Sequence, residues 1–194
     1  MSRFEIEQKF QVPDLQACRI QIMDSFEVHR QSKVQQTDQY LFHPVRDFAA
    51  TDEAFRIRSI KIAGQAECVC LTYKGPRLKH TPDSHEFKTR HEVEVPVMTD
   101  EDSLSKLSEM FSMLGFEPAM VVKKHRERLR IKFHEWDVEF ALDQVQGLGA
   151  FLELEVVAQH DQIAEGQEIL TSIVEQLGLS DPITDSYLEL LQTQ

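Results

Sequence analysis

Apolar and polar side chains alternate almost from the N-terminus. In an extended Phe4-Glu5-Ile6-Glu7-Gln8-Lys9-Phe10, Glu5, Glu7 and Lys9 fall on one face and Phe4, Ile6 and Phe10 on the other. Pro13 and Asp14 then open a helix, with Leu15, Cys18, Ile22 and Phe26 at helical spacing through about residue 28. The pattern predicts strands over 34–43, 53–62, 66–74, 86–97, 119–133, 136–143 and 150–158, with Gly64-Gln65 a tight hairpin turn and 77–84 a polar loop. Thr99, with Asp102 three positions on, predicts a capped helix whose apolar stripe is Leu104, Leu107, Met110, Phe111 and Leu114, ended by Gly115. A helix over 162–177 stops at Gly178, and a short last helix runs from Asp185 to about Leu191.

Nearly every predicted strand has one apolar face and one charged face. The cations of those charged faces are Lys9, Arg56, Arg58, Lys74, Arg90, Lys124 and Arg126; the anions are Glu5, Glu7, Asp38, Glu92, Glu94, Asp143, Glu153 and Glu155. Arg128 either continues the set or sits at its rim. An antiparallel sheet with one solvated face laced with ion pairs explains any single strand. It explains the whole set poorly, because solvent faces usually mix in Thr, Ser and Gln, whereas here both signs recur as Glu-x-Glu, Arg-x-Arg and Lys-x-Arg.

Composition narrows the picture. With 194 residues, 41% hydrophobic and 28% charged, the chain is expected to form one soluble domain over 1–194 with helices and an antiparallel sheet. No apolar run reaches the roughly 20 residues of a bilayer span, so no membrane partner is expected and cytoplasm is the expected location. A net charge of −12 argues against nucleic acid as a partner, though not against an anionic small ligand. Cys18, Cys68 and Cys70 have no zinc-like spacing and read as small packing thiols. A homodimer is compatible with the sequence but nothing demands one.

The strands accordingly suggest an α+β fold in which eight antiparallel strands close into a barrel, with apolar faces outward under helices and charged faces inward. Buried charges without partners cost several kcal/mol each, so such an interior needs a ligand. Cations suit a triphosphate, which carries about four negative charges, and Arg grips phosphate oxygens in a bidentate fork. Carboxylates suit a hard divalent metal.

Glu5-x-Glu7-x-Lys9, Asp38-x-Tyr40, Arg56-Ile57-Arg58, Leu71-Thr72-Tyr73-Lys74-Gly75-Pro76, Glu92-x-Glu94 and Lys124-x-Arg126, then Asp143 and Gly147-Leu148-Gly149-x-Phe151-x-Glu153-x-Glu155, together resemble the CYTH domain. Its members, also called triphosphate tunnel metalloenzymes, include class IV adenylate cyclases, thiamine triphosphatases and inorganic triphosphatases. The resemblance runs from the first strand to Ser186-Tyr187. It implies that Glu5, Glu7 and Glu153 ligate Mg²⁺ or Mn²⁺, and that Lys9, Arg56, Arg58, Lys74, Arg90, Lys124 and Arg126 bind the triphosphate. Asp38, Glu92, Glu94, Asp143 and Glu155 would complete the lining or hold a second metal. Phe42-His43-Pro44 and Lys74-Gly75-Pro76 look like the adenylate cyclase branch, in which Glu5, Glu7, Lys9, Lys74 and Arg126 would carry catalysis on ATP. A triphosphatase acting on tripolyphosphate or thiamine triphosphate is the alternative, and a non-catalytic polyphosphate- or nucleotide-binding module a third reading. No Walker A loop or Gly-x-Gly-x-x-Gly is present, so cations and metal would have to hold any nucleotide.

Overall fold

The computed structural model describes residues 3–78, 87–97 and 102–193. Its strands are β1 (Phe4–Gln11), β2 (Val28–Phe42), β3 (Ala54–Lys61), β4 (Cys68–Arg77), β5 (Lys88–Val97), β6 (Glu117–Phe133), β7 (Trp136–Val145) and β8 (Gly149–Ala158). Every neighbouring pair is antiparallel, and the order β1-β5-β4-β3-β2-β6-β7-β8 closes on itself as a barrel.

Outside the barrel, α1 (Leu15–Ser25) and α4 (Ile163–Leu177) cover β1, β7 and β8. That side is a continuous apolar core in which Ile6, Leu129, Phe140, Leu154, Leu170 and Ile173 are fully buried. α3 (Ser103–Met113) covers the opposite wall, where Leu104, Leu107 and Phe111 pack on Leu41, Ile57 and Val69. Burying each such side chain contributes roughly 1.5–3 kcal/mol, so the outward apolar faces stabilise the barrel and leave the inward faces to other work.

Three local expectations are corrected and one element is added. β2 begins at Val28 because β6, 17 residues long, offers Gln31, Ser32 and Lys33 a pairing partner that local periodicity does not show. A short α2 (Phe48–Thr51) forms where Asp47 accepts from the amides of Ala49 and Ala50. Met110 and Leu114 are solvent-exposed, so the apolar stripe of α3 is narrower than the sequence suggests. Asp102 precedes α3 without a side-chain capping bond, and Thr99 lies outside the described residues, as does 79–84 of the expected loop. The last helix is α5 (Tyr187–Gln192), started by a reciprocal cap between Ser186 and Glu189. Among the described residues no helix is long and apolar enough to cross a membrane.

Candidate active site

Antiparallel register carries each charged face into the barrel. Glu7 stands beside Glu155, Lys9 beside Glu153, Asp38 beside Arg58, Arg126 beside Asp143, and Lys74 beside Glu92. Directly opposed residues share a face, so placing one side chain inward places its partner inward. Lys9, Asp38, Arg56, Arg58, Arg90, Lys124, Arg126, Asp143 and Glu153 are all buried, although each is charged in its ordinary state. Lys9, Arg56, Arg58, Arg90, Lys124, Arg126 and Glu153 border a cavity of about 1260 Å³ that also takes in Glu5, Glu7, Lys74, Glu92, Glu94 and Glu155, whereas Asp38 and Asp143, expected in the lining, are buried behind the guanidinium groups and do not border it.

The interior is a chain of ion pairs. Arg58 forks onto Asp38 at 2.6 and 2.8 Å, with Arg56 Nη1 3.3 Å from the same carboxylate. Burial works against the Asp38 charge, yet Arg56 and Arg58 hold its carboxyl far below the usual range. Arg126 forks onto Asp143 at 2.7 and 2.5 Å, also bonds Glu153, and lies 3.5 Å from Glu155. Lys74 bridges Glu5 at 3.0 Å and Glu92 at 2.7 Å. Arg90 reaches Asp52, and Glu94 takes the Thr72 hydroxyl and sits 3.8 Å from Arg58.

Three carboxylates converge: oxygens of Glu5, Glu7 and Glu155 all lie within 4.8 Å of one another. Their electrostatics diverge. Burial disfavours the charge on Glu7, but Lys88, then Lys9 and Lys74, bring its carboxyl down to about 2. Burial, then the nearby Glu5, push Glu155 up to about 8. An all-carboxylate, partly repulsive donor set fits a hard divalent cation, which wants oxygen ligands and would relieve that repulsion. Glu153 lies deeper, 3.4 Å from Lys9 and bonded to Arg126. The cluster therefore draws on Glu155 from β8, where the sequence resemblance pointed to Glu153.

Lys88 belongs to this interior and is absent from the sequence-derived set. Its ammonium is 3.3 Å from Glu7, and burial together with the adjacent Lys9 lowers its pKa to about 7. It shares strand parity with Arg90 and Glu92, a signal the alternation of 86–97 contains. Glu139 is a second omission. It pairs with Arg128 at 3.3 Å and Arg130 at 2.7 Å, and so carries the lining, Arg128 included, toward the end where β1 starts.

At the other end the segment that leads into α5 joins the lining. Ile183 donates to the Lys9 carbonyl at 2.7 Å, and the Asp185 carbonyl accepts from Lys9 at 2.9 Å and Lys88 at 3.0 Å. The Tyr187 hydroxyl donates to Asp143 at 2.9 Å, its ring lying under the ammonium groups of Lys9 at 4.1 Å and Lys124 at 4.9 Å. Cys68 and Cys70 stand 4.0 Å apart on the inward face of β4, and both are free thiols.

The result is a closed antiparallel barrel whose apolar side chains face outward and whose paired cations and carboxylates face inward around a charged cavity. Residues 3–187 match the CYTH domain, and the chain belongs to that family. A Methanocaldococcus jannaschii protein named "Putative adenylate cyclase" is 35% identical over 160 residues, covering 80% of each chain. A solved Pyrococcus horikoshii protein is 36% identical, covers 97% of this chain and 98% of its own, and superposes with a TM-score of 0.80. A Hippeastrum protein, 14% identical with a TM-score of 0.65, covers 98% of this chain and 95% of its own; it is described as a "Putative adenylyl cyclase" that reveals a dominant triphosphatase activity. At that identity the likeness shows the fold alone.

Proposed function

We propose that the protein is a metal-dependent enzyme acting on a triphosphate inside this barrel, and that its reaction is the conversion of ATP to cyclic AMP and pyrophosphate. The observation that carries the reading is the juxtaposition, in one cavity, of the Glu5/Glu7/Glu155 cluster with Lys9, Lys74, Lys88, Arg56, Arg58, Lys124 and Arg126. The named M. jannaschii relative supports the cyclase branch.

Glu5, Glu7 and Glu155 would hold Mg²⁺ or Mn²⁺, with Glu153 close behind them. When bound, the ion supplies a Lewis acid at the α-phosphate and acidifies the attacking hydroxyl. The protein's own residues do the rest. Lys74, which reaches Glu5 and Glu92, would exchange its bond to Glu5 for phosphate oxygens where Glu5 serves as a metal ligand. Arg56 and Arg58, oriented in advance by Asp38, and Arg126, oriented by Asp143, would fork onto the β- and γ-phosphates. The ribose 3′-hydroxyl attacks the α-phosphorus as the bond to the β-phosphate oxygen breaks. The charge that builds on the leaving pyrophosphate falls among fixed guanidinium and ammonium groups, the dominant source of catalysis in phosphoryl transfer.

One observation favours a triphosphatase as the second reading. The seat of Asp185 and Tyr187 on Lys9, Lys88 and Asp143 shortens the polyanion path from one end. Purified protein with Mg²⁺ or Mn²⁺ should be offered ATP, tripolyphosphate and thiamine triphosphate separately. Cyclic AMP with equimolar pyrophosphate is expected; phosphate release without cyclic AMP would replace the first reading by the second.

A further inference from the structure

We propose that a groove on the outer wall of the barrel, between α1 and the turn that joins β3 to β4, is a second binding site. Its ligand is a small organic anion with a flat apolar body. The site is independent of the reaction run inside the barrel.

Register builds its floor. Lys61, Gln35, His125 and Gln144 are successive partners across β3, β2, β6 and β7. Lys33, Glu127 and Leu142 form the next row on the same outward face. Leu15, Gln16 and Arg19 of α1 wall one side, and Ile62 and Ala63 wall the other, around a cavity of about 460 Å³. That volume is within the range of small-molecule sites. His125 lies between Lys124 and Arg126 in the chain, whose side chains enter the barrel, so groove and interior are back to back and can be filled together.

Two features select the ligand. Leu15, Ile62, Ala63 and Leu142 present carbon from both walls and the floor, which suits a flat ring system. Arg19, Lys33 and Lys61 supply the charge, and among the described lining residues Glu127 is the one carboxylate. Glu127 is held by Arg19 at 2.8 Å and by Lys33 at 3.2 Å, two cations on one anion. Lys61 stands 3.4 Å from Glu67, an exposed pair of the kind that solvent screens. The groove thus keeps a positive excess on a chain whose net charge is −12, and a positive concavity concentrates anions. The Gln35 and Gln144 amides add hydrogen-bonding groups at the floor.

The probe is anilinonaphthalene sulfonate, a flat aromatic dye with one fixed negative charge, titrated by fluorescence into the protein with Mg²⁺ and excess tripolyphosphate. One dye per chain should bind, and tripolyphosphate should not displace it. Reversing two exposed charges together, Lys33→Glu with Lys61→Glu, should weaken the dye at least about tenfold. Uncharged phenylnaphthylamine should bind the parent more weakly than the dye does and should not respond to that reversal. Ala63→Trp, at another exposed position, should fill the groove and abolish dye binding while thermal unfolding stays at the parent value. Displacement by tripolyphosphate would put the dye inside the barrel, and binding that ignores all three substitutions would put it elsewhere on the surface. Absence of saturable binding, or a neutral analogue that binds as tightly as the dye, would deny the groove a ligand of this class. Each of these results overturns the proposal and leaves the reading of the barrel interior untouched.

Discussion

Glu153 and Glu155 are two residues apart on one face of β8, yet opposite consequences are expected from removing their charges. Glu153 is buried between Lys9 and Arg126, so Glu153→Gln leaves cations short of a partner and should cost about 3–5 kcal/mol, read from denaturant unfolding. Glu155 is crowded by Glu5 and disfavours its own charge, so Glu155→Gln should leave stability unchanged or raised. The same substitution should lower metal-dependent turnover at least about 100-fold, because it removes one of three converging ligands. Full turnover in Glu155→Gln would remove it from the metal site. The pH dependence carries a sign as well. Raised from its ordinary 4.5 to about 8, the Glu155 carboxyl removes stability as pH climbs across that interval in metal-free protein. Metal needs the carboxylate, so apparent Mg²⁺ affinity should rise with pH up to about 8 and level off above it. Calorimetric titrations in buffers of different ionisation enthalpy should show proton release at pH 6.5 and little at pH 9; pH-independent uptake would exclude Glu155 as a ligand. At this scale much was legible, since period-two alternation put Glu5, Glu7, Lys9, Arg56, Arg58, Lys124 and Arg126 on the charged faces of their strands, and closure of the barrel turns those faces inward. Alternation does not reveal which of two like-faced carboxylates an arginine has claimed. It is the register of β7 on β8 that gives Glu153 to Arg126 and leaves Glu155 beside Glu5 and Glu7.

Elements deliver these side chains, and β1 shows how tightly. Its inward Glu5 and Glu7 flank the outward Ile6, which is fully buried under α4. At the contact α4 carries Gly166, where a Cβ would come within 2.6 Å of Ile6 Cδ1 and 3.4 Å of Val156. Gly166→Ala should therefore press on β1 despite alanine's better helix propensity, at a cost of roughly 1–3 kcal/mol for overpacking. Thermal unfolding measures the cost, and a loss of metal affinity alongside it would show that the helix sets the spacing of Glu5 and Glu7. A variant as stable as the parent would mean that Ile6 re-packs freely. Elements were readable where periodicity was local and long, as in β1, β8 and α4. They were misread where a distant partner decides: β2 extends back to Val28 only because β6 is there to pair with it. α5 was foreseen as a helix, but its role was not, because nothing local says that Tyr187 will reach Asp143 across the barrel.

For the whole molecule, the barrel inverts the usual arrangement, with its apolar surface outside under helices and its charges in the middle. Ion pairs of this kind are weak evidence for stability, because desolvation offsets most of their attraction. The fold tolerates them because Asp38, Asp143 and Glu153 each have at least one guanidinium partner, while the helix-covered outer faces supply the apolar burial. Such an interior should respond to its ligands jointly. A polyanion alone would face Glu5, Glu7 and Glu155, and a divalent cation alone would face Lys74, Lys88 and Arg126; together each screens the groups that repel the other. Thermal unfolding with Mg²⁺, with tripolyphosphate and with both should therefore show a large shift only for the pair. At a hundredfold excess over the dissociation constant, linkage predicts stabilisation of about 2.7 kcal/mol, or roughly 5–11 °C for a domain of this size. Equal shifts from either ligand alone would mean that metal and phosphate sites are independent, and that the carboxylates and cations of the barrel do not act as one site.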